Sequence, residues 1–169
     1  AYAFSAIKGA GFPVVGGLLN RVECFGWALG TPPGEEFTAR DLDARFEAAK
    51  ARRVAPRAVG ASPAKEVIVK GDAVDLSILP VPTVFELDSG PFITAACGIS
   101  RNPHTGQPNI GIYRVLVLDR NTIAISSSSL SDLGQFYRHY ESRGERMPIA
   151  LAIGVEPALM MAATCKLPR

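Results

Sequence analysis

The segment FITAACGISRNPHTGQPNIGIYR, residues 92–114, constrains this chain more than any other stretch. Two apolar, β-prone runs, 92–100 and 109–118, flank a segment carrying Asn102-Pro103, Thr105-Gly106 and Gln107-Pro108. Runs of that kind joined by turn-forming residues predict a long antiparallel hairpin. The second run is unusual for a buried strand, because Asn109, Gly111, Tyr113 and Arg114 interrupt it. Buried polar groups need partners. A strand glycine marks either a bulge or a place where something approaches the backbone closely. Two readings follow from these residues alone. In one, Arg114 pairs across strands with a carboxylate and Gly111 marks a bulge; in the other, the strand lines a ligand site.

Composition limits the partners. With 169 residues, 47% of them hydrophobic, the chain can bury one core or two small lobes sharing one. The 18 basic and 16 acidic residues leave a formal charge of +2 and are scattered along the sequence. Scattered charge argues against nucleic acid or an anionic membrane surface as partner and leaves room for a small anionic ligand. Cys24, Cys97 and Cys165 are odd in number and lack CxxC spacing. They read as reduced, buried thiols of a cytoplasmic protein, not as a disulfide framework or a zinc site. No apolar run is long enough to span a bilayer, and the first residues lack a signal-peptide layout. The chain starts inside the apolar run AYAF and stops at Pro168-Arg169 just after a helical pattern, so both ends are expected to be cut.

The remaining pattern is mixed. Residues 1–7 and 12–17 are predicted strands, the second of them buried. Gly9, Gly11, Gly16 and Gly17 do not match dinucleotide or P-loop spacings and are assigned to turns. Residues 20–29 carry helix-spaced Val22, Phe25, Trp27 and Leu29, with Trp27 expected to pack. Thr38 and Asp41 form a capping signature for a helix reaching about Arg53, with Leu42, Phe46 and Ala49 on its apolar face. Residues 66–69 are a strand candidate and 74–79 a second apolar run. Pro80 and Pro82 then force extended backbone, which sets a boundary between residues 1–79 and 80–169.

Beyond the hairpin, residues 122–126 are a third strand. Ser126, Ser127, Ser128 and Ser129 lead into a predicted helix over 130–143, capped by Ser129. Hydroxyls beside a helix start suit a phosphate, although an ordinary cap needs the same residues. Asp132 would repel a phosphate there, and Mg²⁺ or Mn²⁺ between the two would remove the conflict. His104 and His139 have no partner nearby in sequence and read as surface residues. Residues 148–154 are a predicted buried strand, Glu156-Pro157 starts a helix to about Lys166, and Met160 and Met161 are assigned to the core.

Three segments together carry a resemblance: FSAIKGAGFPVVGGLLN (4–20), PVPTVFELDSGPFITAACGISRNPHTGQPNIGIYR (80–114) and FYRHYESRGERMPIALAIGVEPALMMAATCKLP (136–168). They resemble the UbiD family of decarboxylases, which use prenylated flavin mononucleotide (prenylated FMN). The resemblance implies an α+β fold, with an N-terminal α/β lobe over 1–79 lacking its start. The first part of a flavin-binding split β-barrel domain follows over 80–169. It implies non-oxidative, reversible decarboxylation of an α,β-unsaturated or aromatic carboxylic acid in a cytoplasmic homo-oligomer. Its cofactors would be prenylated FMN, supplied by a flavin prenyltransferase, with Mn²⁺ or Mg²⁺ and K⁺.

Carried onto this sequence, the resemblance makes Asn109 and Asp132 metal ligands and puts Ile112, Tyr113 and Arg114 along the flavin and substrate. Ser126, Ser127, Ser128, Ser131 and Asp132 become a second flavin-contacting stretch, and Ala163, Thr164 and Cys165 meet the cofactor. Arg114 is the expected catalytic residue, because its fork can hold a carboxylate in two parallel hydrogen bonds. Two departures matter. Some members carry histidine where Asp132 stands, and aspartate can still ligate a hard cation. The family's glutamate ligand and acidic proton donor fall beyond Arg169, so this chain alone is expected to be catalytically incomplete. The alternative is a flavin-binding or partner-binding module of a larger assembly. Strict alternation puts Asn109 and Arg114 on opposite faces of one strand; a twist or bulge near Gly111 could reconcile them with one site, which the sequence does not decide.

Overall fold

A computed structural model describes residues 1–52 and 54–165. In chain order these form β1 (Tyr2–Phe4), β2 (Val14–Gly16), α1 (Val22–Ala28) and α2 (Ala39–Ala51). Three 3₁₀ turns follow, at Pro63–Lys65, Gly71–Ala73 and Leu76–Ile78. Next come β3 (Phe92–Arg101), β4 (Pro108–Val117), β5 (Ile123–Ile125), α3 (Asp132–Glu141), β6 (Ala150–Ala152) and α4 (Pro157–Thr164). β1 and β2 pair antiparallel, and the other strands form an open antiparallel sheet in the order β5-β4-β3-β6.

The predicted hairpin is the centre of that sheet. Its turn is closed by Asn102, whose Oδ1 accepts the His104 and Thr105 amides at 2.8 and 3.2 Å. Gly106 takes the left-handed conformation the turn requires, with φ 71°. From the turn the strands run in register from Arg101↔Pro108 to Ala96↔Tyr113, then shift by one residue before Ile93↔Val115. The irregularity therefore lies on β3, where Thr94 and Ala95 stand opposite the single residue Arg114. Gly111 is not a bulge. It pairs directly with Gly98, and the Tyr113 ring covers both: a Cβ on Gly98 would lie 2.6 Å from that ring.

Period-two alternation gives the sheet two faces. One carries the core cluster of Ile93, Ala96 and Val115, packed with Tyr113, Val117, Ile123, Ile125 and Leu151. The other turns Cys97 and Ile112 toward the helices, and Cys97 is fully buried. Burial pushes the Cys97 thiol above its ordinary pKa, which keeps it protonated and inert. The three cysteines are free, with Cys24 and Cys97 buried and Cys165 half-buried. Met161 is buried as expected.

Several expectations are corrected. Residues 66–69 form no strand: Val67 is 82% exposed, because no other strand among the described residues lies alongside to pair with it. β1 and β2 are three residues each and largely solvent-facing. Trp27 is 47% exposed rather than packed. The Thr38–Asp41 capping box forms as predicted and starts α2. α3, in contrast, starts at Asp132 and is capped by Ser131, not Ser129. Ser131 wins because its hydroxyl reaches the Gly134 amide at 3.1 Å, the three-residue span that a cap requires. The strand expected over 148–154 shrinks to β6 at a sheet edge. The expected helix ends at Arg53 and Lys166 lie outside the described residues.

Candidate functional site

The polar residues of β4 divide between the two faces of the sheet. Asn109, Gly111 and Tyr113 share the core face, while Ile112 and Arg114 share the helix face. The irregularity lies on β3 opposite Arg114 and leaves the alternation of β4 intact, so no bulge near Gly111 brings Asn109 and Arg114 to one face. They flank the strand from opposite sides.

On the core face, the Gly98–Gly111 pair lets Tyr113 lean back along β4 until its hydroxyl lies over Gly111. A Cβ there would be 2.8 Å from that oxygen. Burial raises the Tyr113 pKa; hydrogen bonding from Asn109 opposes this, and the charge of Asp132 adds to the rise. Asn109 and Asp132 thus both act on Tyr113. The sequence separations hide this for Asp132, which arrives from the start of α3.

The serine loop folds onto that helix start. The Ser127 and Ser131 hydroxyls lie 2.7 Å apart, and Ser131 also donates to the Ser128 carbonyl at 2.7 Å. Ser128 Oγ accepts the Leu130 amide at 3.2 Å. The Ser126 amide donates to the Arg114 carbonyl at 3.2 Å, which ties the loop to β4. Gly134 is required here, because a Cβ would run into the Ser128 carbonyl. Ser129 contributes its carbonyl instead of a cap, accepting Arg138 Nη2 at 2.7 Å.

On the helix face, Ile112 and Thr164 line one apolar cavity of about 280 Å³ with Phe25, Phe46, Met160 and Met161. The Thr164 hydroxyl donates to the Met161 carbonyl at 2.7 Å. Arg114 is exposed, its guanidinium carbon 4.9 Å from the Phe92 ring centroid. Among the described residues it forms no ion pair, so the carboxylate partner considered for it is not there. A wider cleft of about 460 Å³ runs beside Leu76 and Arg120 and contains none of these residues. No cluster of three or more His, Cys, Asp or Glu side chains suited to a metal occurs among the described residues.

Two features escaped the sequence. His104 and His139 are not isolated: their rings meet edge to face with centroids 4.7 Å apart, joining the hairpin turn to α3. Ser100 stands directly opposite Asn109, 4% exposed, with a buried hydroxyl that has no hydrogen-bond partner. Counting outward from the Asn102–Gln107 turn would have paired Ser100 with Asn109. Nothing local signals its burial.

Residues 57–169 match the family described as UbiD, 3-octaprenyl-4-hydroxybenzoate carboxy-lyase Rift-related domain. The chain belongs to the UbiD family. Among curated relatives, an uncharacterized Synechocystis protein is 27% identical over 186 residues, covering 98% of this chain and 36% of its own length. The UbiD-class enzyme HmfF from Pelotomaculum thermopropionicum, solved in complex with FMN, is 34% identical with a TM-score of 0.88, over 98% of this chain and 36% of that one. An evolved dimeric form of HmfF, in complex with prenylated FMN, is 35% identical with a TM-score of 0.86, over 98% of this chain and 38% of that one. Vanillic acid decarboxylase from Sedimentibacter hydroxybenzoicus, in its closed form, is 27% identical with a TM-score of 0.84, over 95% of this chain and 35% of that one. This UbiD-family chain therefore spans about a third of the length of the relatives it matches. The expected mixed α and β fold is borne out, and the described strands form an open sheet instead of a closed barrel.

Proposed function

We propose that this chain supplies part of the prenylated-FMN site of an enzyme for reversible, non-oxidative decarboxylation of an α,β-unsaturated or aromatic acid. The observation that carries the reading is the placing of Asn109 and Tyr113 on one face of β4, with Asp132, at the end of the serine loop, acting on Tyr113 through its charge. Family membership and the flavin complexes of HmfF support it.

The donor chemistry fits a hard cation. Asn109 offers a carboxamide oxygen and Asp132 a carboxylate, the ligand types taken by Mn²⁺ or Mg²⁺, with K⁺ as a further cation of the site. Asn109 and Asp132 would hold the divalent ion, whose charge would offset the repulsion between Asp132 and the flavin phosphate. Ser126, Ser127, Ser128 and Ser131 border the phosphate from the helix start. Ile112 and Thr164, on the other face of β4, give the cofactor an apolar wall across the strand's edge, which β5 leaves open before Val115. When bound, prenylated FMN supplies the electron sink for loss of carbon dioxide.

Arg114 anchors the substrate. Its guanidinium is already oriented over Phe92 and has no ion pair among the described residues, so its fork can take a substrate carboxylate bidentately. In the full enzyme we assign the division at 79/80 to two lobes, the assembly to a cytoplasmic homo-oligomer, and the cofactor supply to a flavin prenyltransferase.

The test is purification after co-expression with a flavin prenyltransferase in the presence of Mn²⁺, with absorbance and mass spectrometry of bound flavin. Prenylated FMN is expected at near stoichiometry, and at least tenfold less in Asn109→Ala and Asp132→Ala. Flavin retained equally by both variants removes them as ligands. Absence of flavin from the parent chain rejects a cofactor site formed within it.

A further inference from the structure

Among the described residues, Ser100 is the buried polar side chain on the same face as Asn109 that takes no part in the proposed site. Ser100 is 4% exposed, its Oγ is shut off from solvent and it has no hydrogen-bond partner. A buried, unsatisfied hydroxyl is costly and uncommon, and one beside a polar site calls for a reason. The register supplies one: Ser100 pairs directly with Asn109 on the core face, one pair outside the Gly98–Gly111 seat that holds Tyr113. Cβ atoms of directly opposed residues in an antiparallel pair stand about 5 Å apart, within side-chain reach.

We infer that Ser100 is a positioning residue for Asn109, its hydroxyl accepting a carboxamide N–H so that Oδ1 is held toward the ligand. An asparagine side chain has two N–H donors and one carbonyl oxygen. An Asn109 that presents its oxygen to a cation has to place its donors elsewhere, and the unpartnered hydroxyl of Ser100, directly across the strand pair, can take one of them. Because its Oγ is closed to solvent, it acts through Asn109 and does not touch the ligand itself. The hydroxyl stays unpartnered until the carboxamide turns. Groups that orient a metal ligand in this way tune affinity by about 10-fold or more when removed.

The inference rests on Asn109 being a ligand, and the experiment separates the two claims. Mn²⁺ binding to the purified chain, in the presence of FMN, is titrated by electron paramagnetic resonance for the parent, Ser100→Ala, Ser100→Thr, Ser100→Val and Asn109→Ala. Ser100→Ala and Ser100→Val are expected to weaken Mn²⁺ about 10-fold or more, Ser100→Thr to stay within about twofold, and Asn109→Ala to abolish binding. Thermal melting without metal provides a second readout. Ser100→Ala removes an unsatisfied buried hydroxyl, so its Tm is expected to rise by about 2 °C. A residue that only packs would give a lower Tm and unchanged metal affinity. Loss of binding in Asn109→Ala with none in Ser100→Ala overturns the role of Ser100 alone. Binding unchanged in Asn109→Ala, or no Mn²⁺ binding by the parent, overturns the ligand reading and this inference with it.

Discussion

The hairpin β3–β4 and the stretch 54–91 are both rich in apolar, β-prone residues, yet they fold to opposite outcomes. In the hairpin, Ala96, Cys97 and Val115 are fully buried and the strands pair over ten residues each. In the stretch 54–91, Val54, Val67 and Leu87 are 81%, 82% and 93% exposed, and regular structure is limited to three 3₁₀ turns. Side-chain character does not account for this. The hairpin carries its own partner strand six residues away, whereas the run 66–69 has none among the described residues. A strand without a neighbour leaves its backbone groups to water and gains little from apolar side chains.

The largest expected effect tests that contrast directly. Val115→Ala should destabilise the chain by about 2–3 kcal/mol, from lost burial plus the cavity left behind. Val67→Ala should change stability by less than about 0.5 kcal/mol. Denaturant unfolding of both variants measures the difference, and equal effects would mean that the exposed stretch carries packing absent from this description.

A second substitution asks whether the hairpin's strength depends on its glycine seat. Gly98→Ala drives a methyl into the Tyr113 ring and should cost about 1–3 kcal/mol by overpacking. In a Tyr113→Ala background most of that penalty should vanish, because the colliding ring is gone. An additive double mutant would show that the clash is relieved some other way.

The smallest effect belongs to α2, where structure is encoded locally. Thr38→Ala should weaken the helix by about 1 kcal/mol, read as lost amide protection in residues 39–42. The Thr38 hydrogen bonds hold the Asp41 carboxyl below its ordinary pKa. A lowered carboxylate stabilises the folded state above its unfolded pKa, and the benefit is lost as pH falls through the folded value. The start of α2 should therefore fray on acidification below the ordinary aspartate range. Thr38→Ala should remove that acid sensitivity; an identical acid profile in the variant would show that the cap is not its source.

Legibility followed the range of the interactions. The hairpin, its turn and the α2 capping box were readable because their determinants lie within a few residues of one another. The cap of α3 lies two positions beyond the one expected, since five serines between 126 and 131 offer the same chemistry and only the path of the loop against Gly134 selects Ser131. Glycine at 111 was recognised as meaningful, but its use as half of a seat for Tyr113 depends on Gly98 across the sheet. Asn109, Arg114 and Asp132 were named from a resemblance to the family. Their division between two faces came from pairing.

By itself the sequence determined the family, the hairpin and the residue types available to a site, because these are set by local pattern and by shared motifs. Only the tertiary structure decided which of those residues meet. The register of β3 on β4 put Ser100 opposite Asn109 and the bulge opposite Arg114, and the return of α3 brought Asp132 toward Tyr113. Contacts of that kind join residues far apart in the chain, and no local preference encodes them. They exist because strand pairing and burial are satisfied over the whole sheet at once.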